Sequence, residues 1–332
     1  MTGDRPSEDD LIARYFAPLA GAGGLGLRDD AARIAPPEGC EIVLTVDGLV
    51  AGVHFFADDP PAAIAKKALR VNLSDLAAKG AAPLGFLLTL ALPRDWRADW
   101  LELFARGLGE DAAAFACPLL GGDTVSTFGP LTLSITALGA VPAGRMVPRD
   151  GARAGDLLYV SGTIGDAALG LRERSAGLRS RSEPEGPRSD AAILIDRYLA
   201  PQPRLALAEV LRKHASGAMD VSDGLVGDLA KMLRVSGASA DVAVARIPLS
   251  ASAQAVIAAD PRLLETALAG GDDYEILASV PIANARAFEA AATAVGVPVT
   301  RIGNVTPGHA PATFRDARGA PMSFARGSYS HF

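Results

Sequence analysis

The sequence is poor in the residues that cross-link a chain or bind soft metal ions. Only two cysteines, Cys40 and Cys117, and four histidines occur among its 332 residues. Two cysteines do not make a disulfide scaffold or a cysteine-rich zinc site, so both are interpreted as small buried apolar side chains. Long hydrophobic runs are missing too, because the most apolar stretch, residues 84–92, falls well short of the ~20 residues that a membrane-spanning helix needs.

Basic residues are also in deficit. The 38 Asp and Glu residues outnumber the 32 Lys and Arg residues, which leaves a net charge of −6. This balance argues against binding to a nucleic-acid backbone, but it permits small phosphate ligands that are held through metal ions. The polar, acidic residues 1–10 are unlike the basic start of a secretory signal. No membrane partner is therefore expected, and the cytoplasm is the predicted location.

The apolar pattern that is present predicts two folded domains of mixed α/β (α+β) class. A hydrophobic content of 49% is enough for real cores, and the length suggests about two domains of ~150 residues. A loop-like stretch sets the boundary between the predicted domains, residues 1–150 and 151–332. Helices are predicted over residues 11–19, 61–79, 97–115, 205–214 and 223–234. Strands are predicted over residues 42–46, 86–92, 131–138, 157–160, 276–280 and 299–305.

Two further segments are predicted to be loops. Residues 172–190 are rich in Arg, Ser, Glu and Pro and cannot bury enough apolar surface to be ordered. Residues 21–26 match the dinucleotide fingerprint as text, but a helix-like segment precedes them where the mechanism requires a strand. A flexible loop is the preferred interpretation. Because the sequence contains no Gly-Lys pair, a P-loop of the Walker type is excluded.

Aspartates beside glycine, serine or a second aspartate recur at predicted element ends. Taken singly, each has an ordinary explanation as a turn or helix-capping residue, and Asp223 could simply cap the helix that follows it. Asp47, at the end of an apolar strand, and Asp75, inside a helix, resist that explanation. The set comprises Asp29, Asp30, Asp47, Asp75, Asp123, Asp220, Asp223, Asp272 and Asp273.

Carboxylates that converge would repel one another strongly unless cations were present. Hard oxygen ligands with almost no His or Cys indicate Mg²⁺ rather than zinc. Gly121, Gly122 and Gly162 would let backbone amides approach phosphate oxygens closely. These residues together predict an enzyme that handles phosphoryl groups without a P-loop.

A series of motifs in a fixed order makes the sequence similar to a known family. The motifs are Asp29-Asp30-Ala31, Thr45-Val46-Asp47, His54-Phe55, Asn72-Leu73-Ser74-Asp75-Leu76-Ala77-Ala78, Gly121-Gly122-Asp123-Thr124, Asp220-Val221-Ser222-Asp223-Gly224-Leu225 and Gly271-Asp272-Asp273-Tyr274-Glu275. They resemble the thiamine-monophosphate kinase family, which belongs to the aminoimidazole ribonucleotide synthetase-like (PurM-like) superfamily. The ending Tyr329-Ser330-His331-Phe332 is similar as well.

The resemblance implies a fold, an assembly and a reaction. It implies a two-domain PurM-like fold, with an N-terminal ATP- and Mg²⁺-binding domain over residues 1–150 and a C-terminal α/β domain over residues 151–332. It also implies a homodimer in which the N-terminal sheets of two subunits form a barrel. The implied activity is ATP-dependent conversion of thiamine monophosphate to thiamine diphosphate, a step of thiamine diphosphate biosynthesis.

The resemblance also assigns roles to individual residues. Several Mg²⁺ ions would be bound by Asp30, Thr45, Val46 through its carbonyl, Asp47, Asp75, Asp123, Asp220 and Asp223. Among these, the catalytic carboxylates would be Asp47, Asp75, Asp123 and Asp223. ATP would contact Gly122, Asp123, Arg149 and Ser222. The thiamine substrate would contact His54, Asp272 and Phe324. The sequence departs from the family at Arg28, where Gly is usual, at Asp272, where Glu is common, and at Phe324, where Trp is common.

The expected mechanism is direct in-line phosphoryl transfer. Because the acceptor phosphate is already anionic near neutral pH, catalysis depends on positioning and charge neutralisation rather than on a strong base. One alternative is another ATP-dependent member of the superfamily, such as a purine-pathway ring-closing synthetase. Relatives that act in hydrogenase maturation or selenophosphate synthesis are disfavoured, since the functional cysteines expected near their termini are missing. A second alternative is a non-catalytic nucleotide-binding regulator.

Overall fold

The structure of the protein is a computed structural model that describes residues 7–177, 189–325 and 327–328. It divides into two compact units, Met1–Leu76 with Ala82–Gly144 and Ala77–Ala81 with Arg145–Phe332. Each unit contains its own sheet and its own helices, so the predicted mixed α/β class is confirmed. Within the described ranges, none of the helices combines the length and apolarity needed to cross a bilayer.

The first unit is built on a four-stranded sheet. Its strands are β1 (Cys40–Val50), β2 (Ala82–Pro93), β3 (Leu119–Thr127) and β4 (Thr132–Pro142), in the order β1-β4-β2-β3. Strand β4 is antiparallel to both β1 and β2, whereas β2 and β3 are parallel. Its helices are α1 (Glu8–Leu11), α2 (Pro61–Ala78) and α3 (Ala98–Ala114).

Apolar side chains from α2, α3 and one sheet face form the core of the first unit. Leu69 and Leu73 of α2 and Phe104 of α3 are fully buried, as are Leu133 and Ile135 of β4. Alternate residues of a strand point to opposite faces, and β4 alternates between half-buried and buried residues over positions 132–138, whereas Gly139, Ala140 and Val141 are all buried. The first turn of α2 contains Pro61, which suits a position whose amide has no partner in the helix.

The second unit is built on a six-stranded sheet with the order β10-β7-β9-β5-β8-β6. Its strands are β5 (Leu157–Ser161), β6 (Gly217–Val221), β7 (Ala238–Ala243), β8 (Glu275–Val280), β9 (Val299–Pro307) and β10 (Thr313–Arg315). Its helices are α4 (Asp166–Ser175), α5 (Asp190–Leu199), α6 (Ala208–His214), α7 (Leu225–Ser236), α8 (Ala251–Ala259), α9 (Leu263–Ala269) and α10 (Ala285–Ala294). Leu225, Leu229 and Leu233 are buried along one side of α7, as their spacing predicts.

Several predicted boundaries are wrong in ways that matter for the site. Strand β1 continues to Val50, so Asp47 lies inside the strand and not at its end. Asp123 lies within β3, which the apolar pattern did not reveal. The predicted helix over 223–234 begins at Leu225, and Gly224 occupies its capping position. Asp223 is therefore not the helix cap.

Other segments differ from the prediction in the structure that they form. Residues 11–19, predicted as a helix, contain the end of α1, a π-helical turn over Ile12–Phe16 and a 3₁₀ turn over Ala17–Leu19. Residues 21–26 were predicted as a flexible loop, and all but Gly21 lie in the 3₁₀ turns over Ala22–Leu27. Within the predicted loop 172–190, α4 runs to Ser175 and α5 starts at Asp190, while residues 178–188 lie outside the described residues.

The two cysteines differ. Cys117 is fully buried, and burial raises the pKa of its thiol to about 12, which fits the predicted apolar role. Cys40 is only half-buried at the start of β1, so that prediction is wrong for it.

Candidate functional site

A cavity in the first unit, lined by both polar and apolar residues, brings together three of the predicted site residues. The cavity has a volume of about 710 Å³ and is lined by Asp30, which precedes β1, and by Gly122 and Asp123 of β3. Both aspartates are exposed. A side chain at position 122 would place its Cβ 1.8 Å from the Leu88 carbonyl oxygen on the parallel strand β2. Strand packing alone therefore requires glycine at this position, whatever its contact with ATP.

A second group in the first unit joins β1 to α2. The Thr45 hydroxyl donates a hydrogen bond to Asp75 Oδ2 at 2.5 Å. Asp47 lies two residues beyond Thr45 in β1, which places it on the same face of the strand, and it is half-buried. Val46 points to the opposite face with 61% of its surface exposed. The predicted ligands Thr45, Asp47 and Asp75 thus share one side of the sheet.

His54 lies just beyond β1 with its ring held in place. The Val50 amide donates to His54 Nδ1 at 3.0 Å. A neutral ring that accepts at Nδ1 carries its proton on Nε2, so the side chain can donate from that atom. The His54 carbonyl also accepts a hydrogen bond from the buried Lys67 Nζ at 3.0 Å. This turn is therefore fixed by the first unit's own structure.

In the second unit, the segment after β6 positions Asp220, Ser222 and Asp223. Asp220 is buried near the end of β6. Asp223 pairs with Lys231 Nζ, which also lies 2.8 Å from Asp228 Oδ1. Burial raises the pKa of Asp228, which is 0% exposed. Burial lowers the pKa of Lys231, but its hydrogen bonds to the two carboxylates outweigh this effect and raise it overall.

The loop between α9 and β8 brings Asp272 next to Ser222. The Asp272 amide donates to the Ser222 carbonyl at 2.8 Å, and the Tyr274 amide donates to the Val221 carbonyl at 2.8 Å. Asp272 and Tyr274 adopt left-handed backbone conformations, with φ of 74° and 52°, which are uncommon for non-glycine residues. These strained backbone conformations occur where two predicted contact residues, Ser222 and Asp272, lie next to each other.

Asp273 anchors the same loop from inside the unit. Its carboxylate accepts hydrogen bonds from the Gly165 amide at 2.7 Å and the Ala167 amide at 3.3 Å, at the start of α4. Burial raises its pKa well above the usual aspartate value. The Asp272-Asp273 pair thus divides its roles: Asp272 is half-buried at the loop surface, and Asp273 is a buried anchor.

Glu275 forms a buried ionic cluster that the sequence did not reveal. It is 0% exposed and accepts hydrogen bonds from Ser161 Oγ at 2.6 Å, Arg197 Nη2 at 2.8 Å and Arg204 Nε at 2.7 Å. A side chain on Gly162 would collide with Glu275 and Arg204. In the sequence, Glu275 is the last residue of the motif Gly271-Asp272-Asp273-Tyr274-Glu275 and the first of the apolar strand β8, but neither feature identifies its partners.

The remaining predicted residues occupy less constrained positions. Arg149 is exposed in a loop, and its carbonyl accepts a long hydrogen bond of 3.5 Å from Ser236 Oγ. Phe324 is half-buried and packs edge-to-face on Phe314, with ring centroids 5.1 Å apart. Residues 329–332, which also carried the resemblance, lie outside the described residues.

The structure does not gather these acids into a ready-made metal centre. Among the described residues, no group of three or more His, Cys, Asp or Glu side chains could hold a metal ion. The donor chemistry nevertheless fits Mg²⁺, because the predicted ligands offer carboxylate, hydroxyl and carbonyl oxygens. Asp75 and Asp223 each hold a hydrogen-bond donor instead, Thr45 in one unit and Lys231 in the other.

Comparison with known proteins identifies the class that this fold and site define. The family models for AIR synthase related proteins match residues 28–141 with the N-terminal domain and residues 153–315 with the C-terminal domain. The chain thus has the two-domain PurM-like fold. It is 43% identical to the thiamine-monophosphate kinase of Caulobacter vibrioides over 318 residues, which is 94% of this chain and 88% of that protein. The chain belongs to the thiamine-monophosphate kinase family.

Solved structures agree with this assignment. The thiamine-monophosphate kinase of Stenotrophomonas maltophilia superposes with a TM-score of 0.80 at 37% identity, covering 89% of this chain and 91% of that one. The protein called AaThiL, complexed with AMPPCP and TMP, superposes with a TM-score of 0.77 at 29% identity over 100% of both chains. The resemblance drawn from the motifs is therefore confirmed at the level of family and fold.

Proposed function

We propose that the protein transfers the γ-phosphoryl group of ATP to thiamine monophosphate and releases thiamine diphosphate and ADP. The observation that carries this proposal is the match, over the whole of both chains, to a relative complexed with AMPPCP and TMP. AMPPCP is an ATP analogue, so that relative combines the two ligand types that the reaction requires. The near full-length identity to thiamine-monophosphate kinases supports the same reaction here.

Mg²⁺ is the proposed metal, and its role is to neutralise phosphate charge. The proposed ligands keep the assignments made from the sequence. They are Asp30, Thr45, the Val46 carbonyl, Asp47, Asp75, Asp123, Asp220 and Asp223. Support comes from their oxygen chemistry and from the pairing of Thr45 with Asp75.

The chain's own residues would bind and orient the two substrates. Gly122, Asp123, Arg149 and Ser222 are proposed to contact the nucleotide, with the exposed Arg149 offsetting phosphate charge. His54, Asp272 and Phe324 are proposed to contact the thiamine substrate. The strained Asp272 and the ring-locked His54 are both held by backbone hydrogen bonds. Such preorganisation suits a reaction in which positioning supplies much of the rate.

Product analysis tests the reaction directly. The protein should convert ATP and thiamine monophosphate into ADP and thiamine diphosphate when Mg²⁺ is present, as resolved by chromatography. Thiamine and an aminoimidazole ribonucleotide precursor serve as control acceptors, and neither should be consumed. Turnover of the precursor with no turnover of thiamine monophosphate would instead support a ring-closing synthetase.

We propose that the protein is a homodimer formed through the open face of the first unit's sheet. Four apolar side chains on that face are exposed: Leu44 by 62%, Val46 by 61%, Val125 by 43% and Leu87 by 38%. The strand register places them on the same side, since Leu44 pairs with Leu138, Thr136 pairs with both Val46 and Leu87, and Ala91 pairs with Val125. The sheet order leaves β1 and β3 at the edges, where strands can pair with another chain.

A charge on this face should break the dimer. Val46→Glu is expected to shift the protein from dimer to monomer in analytical ultracentrifugation, because a buried, unpaired carboxylate disfavours association. The matched control is Val235→Glu, since Val235 is 51% exposed but lies on α7 in the other unit. A wild-type protein that sediments as a monomer, or a Val46→Glu variant that remains dimeric, would contradict the proposed interface.

The predicted cytoplasmic location stays a prediction.

A further inference from the structure

Lys231 places an ammonium group directly on a carboxylate that is proposed to bind Mg²⁺. Its Nζ donates to Asp223 Oδ2 and also lies 2.8 Å from Asp228 Oδ1. The side chains of Lys231 and Asp223 are 30% and 35% exposed, whereas Asp228 is fully buried. The ammonium group of Lys231 thus lies beside Asp223, where a metal ion bound to that carboxylate would also have to lie.

Asp228 holds this arrangement from the interior of the unit. Its Oδ2 accepts a hydrogen bond from the Asp223 amide at 2.8 Å, while its Oδ1 contacts Lys231. Asp228 and Lys231 lie three residues apart on α7, so the helix presents both on one side. Because a buried carboxylate needs a partner, Asp228 keeps the ammonium close to Asp223. The pairing with Asp223 is more exposed and easier to exchange.

We propose that Lys231 is a built-in counter-cation that pairs with Asp223 in the metal-free protein and competes with Mg²⁺ for it. This inference rests on the proposed role of Asp223 as a Mg²⁺ ligand. Two cations at one carboxylate repel each other, so Mg²⁺ binding requires the ammonium to give up Asp223. Lys231 keeps its bond to Asp228 during the exchange, and the buried charge of Asp228 is never left unpaired.

The test is a Mg²⁺ titration of the wild-type protein and a Lys231→Met variant. Methionine keeps much of the length of the side chain and removes its charge. Melting temperature is measured against Mg²⁺ concentration at constant ionic strength, without nucleotide. The midpoint of the Mg²⁺-dependent rise should fall by about tenfold in Lys231→Met, since one repelling charge is removed. An unchanged or higher midpoint would overturn the proposal.

Control variants separate this effect from general changes in charge. Lys213→Met removes a surface lysine of the same unit that pairs with Glu209 at 2.5 Å, and it should keep the wild-type midpoint. Lys231→Arg retains the positive charge and should also stay near the wild-type value. If Lys231→Arg moved the midpoint as far as Lys231→Met, side-chain shape rather than charge would be responsible, and the counter-cation role would be wrong.

A measurement on the wild-type protein covers the case in which Lys231→Met does not fold. Reductive methylation, followed by mass spectrometry, reports how readily each lysine reacts. Mg²⁺ should increase the labelling rate of Lys231 relative to Lys213, because Lys231 loses one of its two carboxylate partners. An equal rate with and without Mg²⁺ would overturn the exchange.

The Asp223→Asn variant distinguishes a failure of this inference from a failure of the proposed metal site. If Asp223→Asn abolishes the Mg²⁺ response while Lys231→Met behaves as wild type, Asp223 is supported as a metal ligand and the counter-cation role of Lys231 is wrong. If Asp223→Asn responds to Mg²⁺ as wild type does, Asp223 is not a ligand and the counter-cation role is also wrong. If the wild type shows no response, the proposed metal binding and the counter-cation role are both wrong.

Discussion

Asp75→Asn is expected to lower kcat by on the order of a hundredfold while the first unit stays folded. The substitution removes a negative charge proposed to hold Mg²⁺, but it keeps the size of the side chain. Asparagine retains a carbonyl oxygen that can accept the hydrogen bond from Thr45, which stands at 2.5 Å in the structure. The effect should therefore come from lost charge rather than from lost packing.

Steady-state kinetics with ATP and thiamine monophosphate at saturating Mg²⁺ measure this loss, and circular dichroism checks the fold. Asp99→Asn is the matched control, because Asp99 is exposed on α3 and pairs with the nearby Arg97 at 2.8 Å. Its kcat should equal that of the wild type. If Asp75→Asn turned over at near wild-type rates, Asp75 would not hold a catalytic cation.

Glu275→Gln is expected to destabilise the second unit by about 3 kcal/mol, because it breaks a buried ionic cluster. Glu275 is buried and pairs with both Arg197 and Arg204. Removing its charge leaves Arg204 without this partner, while Arg197 keeps a longer contact of 3.9 Å with Asp166. Glutamine keeps one acceptor oxygen but loses the charge that balances the two guanidinium groups. The loss should appear as a lower midpoint of urea unfolding.

Glu289→Gln is the control variant for the loss of stability expected of Glu275→Gln. Glu289 also accepts a short hydrogen bond, 2.6 Å from Tyr159 Oη, but it is exposed, whereas Glu275 is buried and pairs with two half-buried arginines. Its substitution should cost no more than about 1 kcal/mol. Equal losses in the two variants would show that the Glu275 cluster contributes no more than an ordinary hydrogen bond.

Elements with strong local patterns were predictable from the chain alone. Helix α2, with Asp75 inside it, follows from apolar spacing and from a proline at its start. Strand β3 was not predictable in this way, because Gly121-Gly122-Asp123 resembles a turn in isolation. Its identity as a strand depends on parallel pairing with β2, and a parallel partner comes from a distant part of the sequence.

The candidate site was likewise predictable from the sequence only in part. The order of aspartate motifs was enough to predict the family, the reaction and most of the residues assigned to the site. The interactions of those residues were not predictable. Glu275 meets Ser161 and Arg204 across 114 and 71 positions of sequence, and Asp273 reaches Gly165 across 108. No local pattern specifies such contacts, because they form only when separate strands and loops close on one core.

For this protein, residue types and their order were enough to predict phosphoryl chemistry, since oxygen donors, glycines and an acid surplus are properties of the chain itself. The tertiary structure decided the burial and the hydrogen-bond partners of each acid. Asp272 and Asp273 are neighbours in sequence, yet one lies at the loop surface beside Ser222 and the other is a buried anchor. Asp223 looks like a helix cap in the sequence and is instead paired with Lys231. Burial and partner geometry decide such roles, and both arise only from packing.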